Sequence, residues 1–311
     1  MSDGSFSGPA SGPGKFTSRH LTVVGLGLIG GSMARALRGW AETITGVDMD
    51  AHTRDYALSE GIVDYATDDL REGVAEADSV VLATPVRTIM TLVQKRIGAY
   101  LRSNTLLIDV GSTKQDICMA MGGLPIGIQA IGGHPMAGKE NSGVDASDAA
   151  LFHGRPFVLC PTRRTTPATR VRALSLAEAV GAVPIEMEAH RHDHLVATIS
   201  HLPYLLSAAL VSTVAQQGKS DEAAWRLAAG GFRDMSRLAG SDISMMTDIF
   251  STNTQAVATL LAHFRVQLAI LETLLISRDE AGLAEWLTQA RDARNHWAQD
   301  YGAGGNTGGK K

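Results

Sequence analysis

The chain has 311 residues, 44% of them hydrophobic and 19% charged, with a formal net charge of −4. That length and composition give about two domains with ample material for soluble cores. No basic stripe points to nucleic acid, the two cysteines (Cys118 and Cys160) fit no metal spacing, and the N-terminus lacks a secretory pattern, so a reducing, cytoplasmic setting is expected.

Residues 1–18 are mostly Ser, Gly and Pro, cannot offset the entropy of ordering, and are expected to be a disordered tail; residues 301–311 read the same way. The folded sequence opens with the apolar run Leu21 to Val24. It meets the turn Gly25-Leu26-Gly27-Leu28-Ile29-Gly30, and helix formers follow from Met33 to Leu37. Strand, tight turn and helix with glycines in the G-x-G-x-x-G spacing are the pattern of a dinucleotide site. Gly25 permits the turn, Gly27 lets a pyrophosphate approach the backbone, and Gly30 lets the helix pack on the strand. Leu28 and Ile29 open the helix whose free N–H groups face the phosphates. A second run, Thr43 to Val47, ends in Asp48, placed to bind the adenosine ribose hydroxyls. Asp48, with Asp50 nearby, would repel a 2′-phosphate, so NAD is expected over NADP. Arg54 reads as a phosphate partner or a solvated helix residue.

Further strands are expected at Ser79–Ala83, Thr105–Val110, Ile126–Ile131, Phe157–Cys160 and Val183–Met187. Continuous apolar strands are buried on both faces, hence a mostly parallel sheet covered by helices. Ligands in such sheets sit beyond the carboxyl ends of the strands. That gives weight to Thr84-Pro85, to Ser112 in Gly111-Ser112-Thr113-Lys114, and to His134 in Gly132-Gly133-His134-Pro135. Glycines clear space around the His134 imidazole, whose ordinary pKa of about 6.5 suits proton exchange. Ser112 could share a proton with it or cap a helix, and Lys114 reads as solvated.

After Glu188 the strand signals stop. Helical patterns run over 195–214, 223–238, 242–250, 253–276 and 280–297. The fold class is therefore an α/β Rossmann-type nucleotide-binding domain over 19–187, followed by an all-α domain over 188–300. The longest apolar stretch, Leu202 to Ala215, is too short for a bilayer span, so no membrane partner is expected. The 253–276 helix has more apolar surface than one face needs, so a homodimer is expected. His190-Arg191-His192-Asp193-His194 resembles a metal cluster, but only His190 and His194 share a helix face, and no metal is expected. Asp193, Ala197, Ser200 and Tyr204, at steps of four, three and four, line one face as a polar pocket wall. Arg237 is a candidate carboxylate anchor, or else a surface salt bridge.

These residues resemble a family. Gly25-Leu-Gly-Leu-Ile-Gly-Gly31, Asp109-Val-Gly-Ser-Thr-Lys114, Gly133-His-Pro-Met-Ala-Gly138 with Glu140, Ser200-His-Leu-Pro203 and Gly230-Gly-Phe-Arg-Asp-Met-Ser-Arg237 are similar to motifs of the prephenate/arogenate (cyclohexadienyl) dehydrogenases of tyrosine biosynthesis. The resemblance covers about residues 20–300. It implies oxidative decarboxylation of a cyclohexadienol: hydride passes to NAD, the ring carboxylate leaves as carbon dioxide, and the ring becomes aromatic. By resemblance His134 deprotonates the ring hydroxyl, Ser112 orients that pair, and Arg237 binds a substrate carboxylate. Ser200 and Asp193 support the pocket, Tyr204 and Ser241 belong to its substrate side, Glu140 sits near its entrance, and the helical domain is an intertwined dimer domain. Some members with prephenate preference carry His at Tyr204 and some carry Trp at Met246, which leaves the choice of keto or amino side chain open. No regulatory ACT domain or fused chorismate mutase is expected within these residues. Two rival readings are a β-hydroxyacid or 6-phosphogluconate-type dehydrogenase and a non-catalytic NAD-binding protein. The first uses a Lys early in the helical domain, and His194 to Leu210 has none; the His134–Ser112 pair stands against the second.

Overall fold

The computed structural model describes residues 15–139 and 141–302. Glu140 and the tail residues 1–14 and 303–311 lie outside that range. The strands are β1 (Ser18–Val24), β2 (Ala41–Val47), β3 (Tyr65–Thr67), β4 (Ser79–Leu82), β5 (Leu106–Asp109), β6 (Gln129–Pro135), β7 (Pro156–Pro161) and β8 (Val183–Glu186). They form one sheet in the order β3-β2-β1-β4-β5-β6-β7-β8. Every pairing is parallel except β6 with β7.

The central strands alternate between two cores because successive side chains point to opposite faces. Val23, Val81, Ile108 and Ile131 pack on one face with Met33 and Leu37 of α1 (Leu28–Leu37) and Leu176 of α6 (Pro167–Ala179). Val24, Val80, Leu82 and Leu107 pack on the other with Ile89 of α4 (Val86–Lys95) and Ile117 of α5 (Gln115–Gly122). β4 and β5 are buried throughout, as a strand covered on both faces must be.

Four features differ from the sequence reading. The ordered chain begins before residue 19: Phe16 is buried in the first core and β1 starts at Ser18, so one aromatic side chain anchors residues assigned to the tail. β3 was not expected. It has three residues, carries no apolar run and pairs only with β2. β6 is displaced toward the C-terminus, for Ile126 is 89% exposed while the glycines and His134 continue the ladder by pairing with β7. His134 therefore lies inside the strand end rather than after it.

The fourth is the helical segment 195–214, which belongs to a longer run. α7 (Ala189–Val196) passes through a π-helical turn, Ala197–His201, into α8 (Leu202–Gly218). The whole run Ala189–Gly218 is long and apolar enough to cross a membrane, by length and composition alone, and so is α12 (Thr254–Ser277). α9 (Ala223–Arg226), α10 (Gly230–Ser236), α11 (Ile243–Thr252) and α13 (Glu280–Asp300) complete the helices.

By chain contacts the molecule has two compact units, residues up to Val257 and residues from Ala258. The change from α/β to all-helical sequence falls earlier, after β8. The early helices belong to the first unit because they hydrogen-bond the sheet domain, as shown below. In the second unit Asp279 caps α13 by accepting the Gly282 N–H at 2.9 Å. Apolar side chains of α12, including Leu261, Val266, Leu268, Ile270, Leu275 and Ile276, are exposed.

Candidate active site

The glycine turn has the geometry its spacing demands. Gly25 has φ +90°, a left-handed conformation that disfavours side chains, and its N–H donates to Val47 O at 2.7 Å. A Cβ on Gly30 would lie 1.8 Å from Gly25 O, so only glycine lets α1 pack this close. A Cβ on Gly27 would meet nothing within 4 Å; the backbone there borders open space. Thr84, at the end of the neighbouring β4, has a buried Oγ1 without a hydrogen-bond partner among the described residues. An open glycine cradle beside an orphaned hydroxyl fits a dinucleotide that lies across the turn and bonds Thr84.

Asp48 ends β2 beside this turn. Its Oδ2 accepts the Leu26 N–H at 2.8 Å and its Oδ1 the Asp50 N–H at 3.0 Å. Arg54 is not a solvated helix residue. Its guanidinium donates to the carbonyls of Asp48 and Met49 at 2.8 and 3.0 Å and pairs with Asp68, bracing the β2–α2 corner (α2, Ala51–Ser59).

His134 is half-buried near the end of β6. Its Nδ1 is 2.8 Å from Nε2 of His192 on α7, and Nδ1 of His192 is 2.7 Å from Asp193 Oδ1. Asp193 in turn accepts the Lys114 N–H at 2.7 Å and the Gln115 N–H at 2.8 Å, so it caps α5 from another element. The His134 ring thus bonds His192, not Ser112, and Ser112 is not the cap of α5. Burial first, then the nearby His192, Lys114 and His201, hold His134 well below its ordinary pKa, so it is neutral at pH 7.

Beneath this pair lies an ion pair that the sequence reading missed. Lys114 is fully buried, not solvated, and its ammonium bonds the equally buried carboxylate of Asp109. The same carboxylate accepts the Gly111 N–H at 2.9 Å and the Gly133 N–H at 3.3 Å, tying β5 to β6 next to His134. Burial pushes Asp109 up even with the ammonium beside it.

A cavity of about 850 Å³ brings together Gly27, Leu28, Ile29, Thr84, Pro85 and Ser112 with Arg237 and Ser241 of the helical segment. Its wall is completed by Gly138, Lys139, Asn141, Ser142 and Gly143 and by Asp242, Ser244, Met245, Asp248 and Ile249. Ser147 and Asp148, further along the chain, are held on α1, with Arg35 Nε donating to Ser147 Oγ and the Asp148 N–H to Ser32 Oγ, both at 2.9 Å. α11 is held on the sheet domain by Arg87 with Asp248 and by Thr113 with Thr252 at 2.8 Å.

His134, Asp193, Ser200 and Tyr204 are not in that wall. The expected face of Asp193, Ala197, Ser200 and Tyr204 fails at Ser200, which is exposed. The π-helical turn inserts a residue, and His201 takes the buried place instead. His201 lies against the Asn253 amide at 3.3 Å, and burial lowers its pKa to about 4. The Tyr204 ring lies 5.7 Å from that of Phe250, and Met246 is buried. Among the described residues no three His, Cys, Asp or Glu side chains gather as a metal site.

His192 was set aside as one of a row of histidines. A signal was available: a helix begun at Ala189 buries His192, Asp193, Val196 and Ala197 as one face at steps of one, three and one.

A parallel sheet with a dinucleotide cradle, a cavity closed by helices and a neutral histidine at a strand end define a nucleotide-dependent dehydrogenase. Residues 33–186 match the family model for the nucleotide-binding domain of prephenate dehydrogenase, and residues 188–289 match that for its dimerization domain. A cyclohexadienyl dehydrogenase of Zymomonas mobilis is 34% identical over 89% of this chain and 95% of its own. The crystal structure of Aquifex aeolicus prephenate dehydrogenase, in complex with hydroxyphenyl propionate and NAD+, is 31% identical with a TM-score of 0.82 over 89% of this chain and 98% of that one. Synechocystis arogenate dehydrogenase is 33% identical with a TM-score of 0.78 over 89% of this chain and 99% of that one. The chain belongs to the prephenate dehydrogenase family.

Proposed function

We propose that the chain catalyses NAD-dependent oxidative decarboxylation of prephenate, arogenate or both, in tyrosine biosynthesis, with His134 as the general base. The observation that carries this reading is a neutral imidazole at the carboxyl end of β6, hydrogen-bonded on one nitrogen to His192. A base must be deprotonated at working pH and held in place, and the lowered pKa of His134 and its contact with His192 support both. NAD, when bound, takes the hydride. The chain's residues do the remaining work. Gly25, Gly27, Leu28, Ile29, Gly30, Thr84 and Pro85 hold the dinucleotide. His134 takes the proton of the ring hydroxyl while the ring carboxylate leaves as carbon dioxide. Ser112 lines the cavity and hydrogen-bonds the substrate. Arg237 binds a substrate carboxylate and Ser241 lies beside it on the same wall. Asp193 acts from behind through His192.

NAD is preferred over NADP because the Asp48 carboxylate at the end of β2 repels a 2′-phosphate, and Arg54 is already engaged by carbonyls and Asp68. The nucleotide domain runs to 187 and takes in Phe16 and Ser18 ahead of the expected start at 19, and the helical domain is 188–300. The helical domain pairs two copies of the chain, its match to a dimerization domain and the exposed apolar side chains of α12 supporting a homodimer. The enzyme is cytoplasmic.

The test is His134→Asn. kcat falls about 10²- to 10⁴-fold while NAD affinity stays within about twofold. A variant of near-normal kcat removes His134 from the mechanism.

A further inference from the structure

We propose that His192 is a positioning residue that sets the tautomer of His134, making Nε2 of His134 the nitrogen that accepts the substrate proton. This deepens the reading above and rests on His134 being the base.

The inference follows from which atoms can donate. The Lys114 and Gln115 N–H groups, at the start of α5, both point into the Asp193 carboxylate at 2.7 and 2.8 Å. Backbone N–H groups only donate, and two of them at a helix N-terminus stabilise the carboxylate as an anion. An anionic carboxylate only accepts. The proton in its 2.7 Å contact with His192 therefore sits on His192 Nδ1. In the neutral form of His192 that is its single N–H, which leaves Nε2 bare. The 2.8 Å contact between His192 Nε2 and His134 Nδ1 must then use a proton on His134. His134 is neutral and has no second proton, which leaves its Nε2 bare.

The opposite chain of donors starts from a protonated Asp193. It would place a proton on His192 Nε2 and leave His134 with Nε2–H, unable to accept. The two backbone donors on Asp193 select the first chain. The same chain serves the reaction. As the substrate O–H bond breaks, an N–H bond forms at His134 Nε2 and the hydride goes to NAD. The resulting imidazolium still donates from Nδ1 to His192, with the Asp193 anion two hydrogen bonds away. The other charged or titratable groups around the ring are His201 in the π-helical turn and Lys114, paired with Asp109 at the end of β5.

The experiment reads the tautomer directly, without turnover. Nitrogen-15 NMR of the full-length protein labelled at histidine, at neutral pH, is recorded for the wild type, His192→Leu and His192→Gln, with the His134 signals assigned by their loss in His134→Asn. In the wild type His134 carries its proton on Nδ1. In His192→Leu, which removes the acceptor, His134 moves to the Nε2–H form and kcat falls about 10²-fold, with KM for NAD within about twofold. In His192→Gln the amide oxygen accepts from His134 and the amide nitrogen donates to Asp193, so the wild-type tautomer is restored and kcat recovers to within about fivefold. A wild-type His134 with Nε2–H, or a His192→Leu protein with unchanged tautomer and kcat, overturns the proposal. If the wild type turns over neither prephenate nor arogenate, the functional reading fails and the NMR result still decides the role of His192.

Discussion

Replacing Lys114 with Met removes a charge from a fully buried site. Both Lys114 and Asp109 are fully buried, so the ammonium cannot be replaced by solvent. Asp109 would be left with only the Gly111 and Gly133 N–H groups. Breaking a buried pair from one side costs about 3–5 kcal/mol. At roughly 2–4 °C per kcal/mol for a chain of this size, Tm should drop by about 10 °C. Asp109→Asn alone should also destabilise, because Lys114 then lies buried without its anion. The double variant should be more stable than the sum of the two losses implies, by about 2–3 kcal/mol. The assay is equilibrium urea unfolding of all four proteins at one protein concentration. Losses that add to within about 0.5 kcal/mol would refute the idea that the two charges hold each other inside the fold. The same variant has an electrostatic signature: Lys114 holds His134 down, so Lys114→Met should shift the acid limb of kcat/KM to higher pH.

Asp48→Ala should cut the NAD over NADP ratio of kcat/KM at least about tenfold, a loss on the order of one charge contact; an unchanged ratio places the discrimination elsewhere. Arg237→Ala should raise substrate KM at least about tenfold with NAD affinity unaltered, whereas an unmoved KM means that Arg237 faces solvent. His201 has a lowered folded pKa of about 4, so the unfolded chain binds its proton first as pH falls. Stability is then complete above about pH 6.5 and is lost on the way to pH 4, by roughly 3 kcal/mol for this one group. Urea unfolding across that range should show a shallower slope for His201→Gln; an identical slope would discharge His201 from acid instability.

Much of the cofactor half was legible because its chemistry is local. The spacing of Gly25, Gly27 and Gly30 is a backbone requirement, and the structure meets it with a positive φ, an open cradle and a close approach. Thr84, Ser112 and Arg237 were found by position after strands or by side-chain chemistry, and they share a cavity. What periodicity could not carry was register. His134 continues a strand because β7 returns antiparallel beside it, a pairing that no local run announces. Ser200 and His201 exchange faces because one π-helical turn shifts the count. Lys114 looks like any solvated cation until Asp109, five residues earlier, is seen buried against it. His192 was hidden by its neighbours, since a row of histidines invites a metal reading and obscures the one that touches His134.

The most direct measurement is the appearance of NADH absorbance when the purified wild-type protein meets prephenate or arogenate with NAD, with evolved carbon dioxide counted in parallel. One carbon dioxide per NADH, from at least one of the two compounds, is the expected outcome. No NADH from either would contradict the assignment, and NADH without carbon dioxide would mean that the alcohol is oxidised but the ring does not become aromatic.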